Sequence, residues 1–222
     1  CSTCRGSGWL VHSQDGIESV GPCPDCRSEE RLRLLLKKAA IPPRYLDRGF
    51  KEYDLLSRLQ EKAHLRASKY VEDFPNVPRG LLFHGPCGVG KTHLSVAILK
   101  TLIQEKMIAG TFVDEAELLR RLQYSYGPGS PETEREVMIP LSEIDLLVWD
   151  NLGTGRPTEW VRETIRTVIN HRYTHKKLTI LSTNWPLQVK TGDSPRSELV
   201  KTAIKDNLEE RIGRRLFSRI ME

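Results

Sequence analysis

Short apolar runs alternate with longer amphipathic stretches along most of this chain, and the two periods mark different elements. Leu81-Leu82-Phe83 has the length of a buried parallel strand, and Thr111-Phe112-Val113, Ile144 to Trp149 and Leu178 to Ser182 repeat the signature. Between them, Lys91 to about Lys106, Glu115 to Gln123 and about Thr158 to Tyr173 carry helical spacing. Strands alternating with helices predict an α/β fold with a parallel sheet covered by helices on both faces. Upstream, Leu32, Leu34, Leu35 and Leu36 sit among Arg31, Arg33, Lys37 and Lys38 and predict a helix over 28–40. Glu29 and Glu30 lie early in it, where the helix dipole favours acids. Ile41-Pro42-Pro43-Arg44-Tyr45 stops that helix, and another is predicted from Asp54 to about Phe74. Tyr126 to Pro131 is a cluster of breakers, and a basic helix from about Glu198 to Met221 closes the chain.

The first strand runs into Gly85-Pro86-Cys87-Gly88-Val89-Gly90-Lys91-Thr92, which fits G-x-x-x-x-G-K-[ST] at every position. Strand, glycine loop and helix together make a phosphate site, because consecutive backbone N–H groups and a helix N-terminus converge on one anion. Residues 85–92 with His93 are therefore the candidate nucleotide-binding set, read as an ATP site with Mg²⁺. Lys91 is expected to reach the β- and γ-phosphates and Thr92 to ligate the magnesium. Asp150 ends the strand Leu146-Leu147-Val148-Trp149 and is the second candidate magnesium residue. Asn151 follows it, where an ATPase ordinarily carries a second acid; an amide orients water but does not take its proton. Three readings stay open on the sequence alone: another acid substitutes, hydrolysis is slow, or the residue was altered deliberately to trap a nucleotide; an acid restored at 151 is expected to raise turnover. Asn184, past the strand ending at Ser182, is the candidate to sense the γ-phosphate.

Composition bounds the rest. The chain has 222 residues, 38% hydrophobic and 28% charged, enough for one domain of ordinary size and a small appendage. The net charge of +5 permits contact with nucleic acid without establishing it. No apolar run approaches the roughly 18 residues of a membrane span, and no signal peptide is evident, so a cytoplasmic protein without membrane contact is expected. The chain starts at Cys1, and residues upstream are expected. Cys1, Cys4, Cys23 and Cys26 form two C-x-x-C pairs, the spacing of a four-thiolate Zn²⁺ site, whereas Cys87 stands alone in the glycine loop. The expected organisation is a zinc ribbon over 1–27, a helical linker and start of the ATPase unit over 28–78, and an ATP-binding domain over 79–222.

Taken together, the residues resemble the AAA+ ATPases of the bacterial replicative helicase-loader group, of DnaC/DnaI type, with the related IstB-like transposition helpers. The likeness runs from Ile41 to Glu222 and rests on 41–45, 85–92, Asp145 to Gly153, Asn170-His171-Arg172-Tyr173, Ser182-Thr183-Asn184 and Glu210 to Leu216. It implies a P-loop ATPase fold and an ATP-dependent factor that self-associates through its ATP site. Such a factor engages the replicative DNA helicase and places it on single-stranded DNA. It also implies that Arg215 is an arginine finger acting in trans, with Arg211 and Arg219 as substitutes. Asn151 departs from the family pattern, and the chain stops before the family's last strand, so four parallel strands are expected rather than five. Alternative readings are a transposition helper that recruits a transposase and a non-hydrolysing nucleotide-dependent scaffold.

Overall fold

Alternating apolar runs and amphipathic helices fold into one parallel sheet between two helical layers, in a computed structural model that describes residues 2–5, 7, 9–14, 17–187 and 207–222. Strands β1 (Trp9–Gln14) and β2 (Ile17–Pro22) pair antiparallel and lead into α1 (Pro24–Lys38). Pro24 begins that helix because its missing N–H would be unpaired there in any case. The helix thus starts before residue 28 and takes Cys26 onto its first turn. Its far end is tied to the main sheet, where the Phe112 N–H donates to the Ala39 carbonyl at 2.8 Å. Helix α2 (Arg58–Asp73) begins later than the Asp54 expected, because the Ser57 side chain caps it by accepting from the Gln60 N–H.

The main sheet contains β3 (Leu81–His84), β4 (Gly110–Asp114), β5 (Leu146–Asp150) and β6 (Leu178–Thr183), in the order β3-β6-β5-β4 and all parallel. Successive side chains of a strand face opposite sides, and β5 is apolar on both. Leu146 and Val148 join Leu94, Ile98 and Leu102 of α3 (Lys91–Lys106) in one core. Leu147 and Trp149 join the other, under α4 (Glu115–Ser125), α5 (Glu134–Glu143) and α6 (Glu159–Thr174).

Helix α5 is absent from the sequence reading. Pro140 inside it disguises the pattern, but Thr133 and Glu136 form a capping box and Val137, Met138 and Leu141 are buried. The expected last helix divides, among the described residues, into α7 (Leu208–Ile212) and α8 (Arg214–Met221), broken at Gly213 with φ +88°. Its predicted start, 198–206, lies outside the described residues.

Arg172, fully buried on α6, sets the entry of two strands. Its Nη1 donates to the carbonyls of Leu141 (2.9 Å) and Ile144 (2.7 Å), and its Nε donates to Thr179 Oγ1 (2.9 Å). Among the described residues no helix is long and apolar enough to cross a membrane.

Candidate functional site

The carboxyl ends of the parallel strands meet on one side of the sheet, the edge at which α/β folds bind ligands. From β3 the chain turns through Gly85–Gly90 into α3. Gly90 has φ +88°, and a Cβ there would lie 2.4 Å from the Tyr53 ring, so both backbone and space require glycine. Lys91 folds back over the loop, its Nζ donating to the carbonyls of Gly85 (2.9 Å) and Pro86 (2.8 Å). Burial lowers its pKa, against the nearby Cys87 and Asp150, which raise it. The Thr92 hydroxyl donates to Asp150 Oδ2 at 2.8 Å, so the two predicted magnesium residues meet. Asp150 is 3% exposed; burial pushes its pKa up, and hydrogen bonds from Ser182 and Thr92 draw it down.

Asn151 has φ +60°, a left-handed conformation that asparagine tolerates. Its backbone N–H donates to Ser182 Oγ at 3.2 Å, and its side-chain amide donates to Asp114 Oδ2 at 2.8 Å. Asp114 ends β4 directly beside Asp150 in the sheet register. Its other oxygen caps α4, accepting from the N–H groups of Ala116 (3.0 Å) and Glu117 (3.1 Å). Asp145 and Glu143, the other acids near this strand in sequence, lie at its opposite end. There Asp145 is 3.6 Å from Lys177 and Glu143 is 2.7 Å from His171.

A cleft of about 460 Å³ opens over Cys87–His93 and includes Asn151 and Asn184. Its other wall is Arg44, Tyr45, Arg48, Tyr53 and Gln60, which sequence reasoning assigned to a linker and a helix. Tyr53 donates to the Val89 carbonyl at 2.8 Å, and a His93 ring nitrogen lies 2.7 Å from the Gly49 carbonyl. The Tyr53 and His93 rings are 5.3 Å apart, and Tyr45 flanks His93 at 6.5 Å. Loop amides and a lysine on one side and aromatic rings on the other can take a triphosphate and a flat base. The signal for that wall was the aromatic run through Tyr45, Phe50 and Tyr53, which amphipathic spacing does not capture.

Three arginines of the final helices differ in engagement. Arg211 donates from Nε to the Gly153 carbonyl at 2.5 Å and lies 3.9 Å over the Trp185 ring. Arg219 bonds Asn170 and faces the Tyr173 ring. Arg215 is exposed on α8, outside the cleft lining, and makes no hydrogen bond or ion pair among the described residues. In the N-terminal region the sulfurs of Cys4, Cys23 and Cys26 all lie within 4.8 Å of one another. Cys1 lies outside the described residues.

Comparison with known proteins bears on the whole arrangement. Residues 24–210 match the family model of the IstB-like ATP binding protein. The "Replicative helicase loader DnaC" of Buchnera aphidicola subsp. Schizaphis graminum is 27% identical over 69% of this chain and 62% of its own length. That of Escherichia coli K12 is 25% identical over the same shares. The chain thus spans somewhat under two thirds of the length of these relatives. A crystal structure of the DnaC helicase loader superposes with a TM-score of 0.65 at 34% identity, covering 81% of this chain and 95% of that one. A structure of DnaI, at 22% identity and a TM-score of 0.62, shares the fold. With the family model matching across the sheet, the glycine loop and Asp150, this chain belongs to the IstB-like ATP-binding family of DnaC-type AAA+ proteins.

Proposed function

We propose that this chain is an ATP-switched helicase loader, which binds ATP·Mg²⁺ in the cleft, self-associates through that site and places the replicative DNA helicase on single-stranded DNA. The carrying observation is the Thr92–Asp150 contact at 2.8 Å beneath the Lys91 loop, an arrangement suited to a nucleotide and its metal. Thr92 and Asp150 would hold the magnesium, which would neutralise phosphate charge. Lys91 exchanges its loop carbonyls for phosphate oxygens, Asn184 monitors the γ-phosphate, and Tyr45 and His93 border the space for the base. Arg215 serves the site of a neighbouring copy. The names of the relatives support the loader over the transposition helper, since both carry that designation.

The 1–27 region is read as a Zn²⁺ module that serves partner contact. Three sulfurs within 4.8 Å fit a tetrahedral thiolate site, with Cys1 as the fourth ligand. A cytoplasmic location accords with reduced, metal-binding thiols.

The test is co-elution of the native protein with the replicative helicase of its source cell, with and without ATP, and helicase loading onto single-stranded circles. ATP-dependent co-elution and loading, both lost in Lys91→Ala, are expected. Failure to bind helicase, with capture of a transposase instead, would replace the loader by the helper.

A further inference from the structure

We propose that Asp114 is the carboxylate that takes the proton of the attacking water, and that Asn151 is the amide that aims it. The inference rests on the ATP-site reading above.

Four observations carry it. Asp114 and Asp150 are register partners at the carboxyl end of the sheet, so the two strand ends present their carboxylates side by side. The Asn151 amide reaches Asp114 Oδ2 at 2.8 Å, and the strand-end backbone holds Asn151 in place through its N–H on Ser182 Oγ. A carboxylate oxygen has two acceptor sites, and Oδ2 uses one on Asn151, which leaves one for water. Asp114 is only partly buried, so a proton taken from water can pass on to solvent.

Of the other described acids near the site, Asp54 lines the cleft next to Tyr53, and the rest are engaged elsewhere. Asp150 faces Thr92 and Ser182, and Glu115 accepts the backbone N–H groups of Gly153 and Gly155. Glu52 accepts from the Gly49 N–H within the base-side wall. Asp145 and Glu143 sit at the wrong end of β5.

In the step itself, the water oxygen bonds to the γ-phosphorus and the bond to the β,γ-bridging oxygen breaks. The electron pair of that bond leaves with ADP, and the water proton passes to Asp114 and then to solvent. The pair Asp114–Asn151 thereby performs what an acid at 151 and an amide at 114 would perform with the roles exchanged.

This reading reverses the expectation for an acid restored at 151. In Asn151→Asp alone, the 2.8 Å hydrogen bond would give way to two carboxylates facing each other, and the amide that aims the water would be lost.

The test is ATP turnover and fluorescent-ATP binding for native protein, Asp114→Asn, Asn151→Asp and the double exchange, on single-stranded DNA. Asn caps helices as well as Asp, so Asp114→Asn keeps α4 capped. Turnover is expected to fall by about 10²-fold or more in Asp114→Asn, as for loss of a general base, with ATP binding retained. Asn151→Asp alone should give no gain, and the double exchange should recover most of the native rate. Native turnover in Asp114→Asn, no turnover in the native protein, or loss without recovery in the double exchange would each overturn the role of Asp114. Failure of the native protein to bind ATP would instead sink the ATP-site reading beneath it.

Discussion

Glu115, fully buried next to the helix-capping Asp114, holds the loop that follows Asn151. Its Oε2 accepts from the Gly153 N–H and its Oε1 from the Gly155 N–H, each at 2.8 Å. Gln at 115 would keep one acceptor and set an amide N–H₂ against the other donor. Glu115→Gln should therefore cost about 1–3 kcal/mol, the penalty of one unsatisfied buried donor, read as a lower urea midpoint with an unchanged slope. Burial pushes the Glu115 pKa above its ordinary value of 4.5, although the two N–H groups pull it down. Only between the ordinary value and the raised one does the native state keep a proton that the unfolded chain releases. Its contribution is complete below the ordinary value and is lost as pH rises through the raised one. Gln does not titrate, so the stability gap between native protein and Glu115→Gln should narrow as pH increases from about 4.5. A gap independent of pH would mean that this carboxyl titrates alike in both states.

The N-terminal hairpin and α1 make a junction between a thiol cluster and the main sheet. Cys26 lies in the first turn of α1, while Leu32, Leu35 and Leu36 farther along pack on the core under α3. So small a hairpin buries little, and metal binding would supply most of its folding free energy. Replacing Cys23 and Cys26 with Ser should release one Zn²⁺ per chain and remove hydrogen-exchange protection over 9–27. Protection from Leu32 onward should survive, because the core anchors it. Metal analysis of the reduced native protein without zinc would remove the module, and melting of α3 in the variant would show that the two units fold together. The four strands of the main sheet and α3, α4 and α6 were legible in the chain because their burial follows simple periods. So were the positions of Lys91 and Thr92, set by spacing along one strand–loop–helix unit, and of Asp150, which ends a separate apolar strand. Helix α5 was hidden by Pro140, although the Thr133–Glu136 capping box announced it. Asp114 was hidden for a different reason. It reads as an ordinary helix cap, and only the pairing of β4 with β5 brings it to Asn151. Tyr53 was likewise placed by the tertiary fold, which lays it over Val89 and Gly90.

In a single copy of this molecule the glycine loop, Lys91 and Thr92 line one cleft with Tyr45 and Tyr53. Arg215 of the motif at 210–216 lies outside that lining and, among the described residues, makes no hydrogen bond or ion pair. Arg211 is spent inside its own chain, on the carbonyls of Gly153 and Gly155 and the face of Trp185, so Arg211→Ala should lower the stability of the isolated monomer. Arg215 has no such task among the described residues, and Arg215→Ala should leave monomer stability and ATP binding unchanged. If Arg215 reaches the γ-phosphate of a neighbour, its loss should reduce turnover by about 10³-fold or more, as for other arginines supplied in trans. Mixing separates trans from cis action. Lys91→Ala copies lack the phosphate-loop lysine but still present Arg215, and Arg215→Ala copies bind ATP but lack the finger. Each alone should be inactive, whereas an equal mixture should regain turnover at the interfaces where a Lys91→Ala copy offers Arg215 to an Arg215→Ala site. The regain should rise with protein concentration and with added single-stranded DNA, since both favour assembly. A mixture as inactive as its components, with assembly verified by light scattering, would place the action of Arg215 within its own subunit.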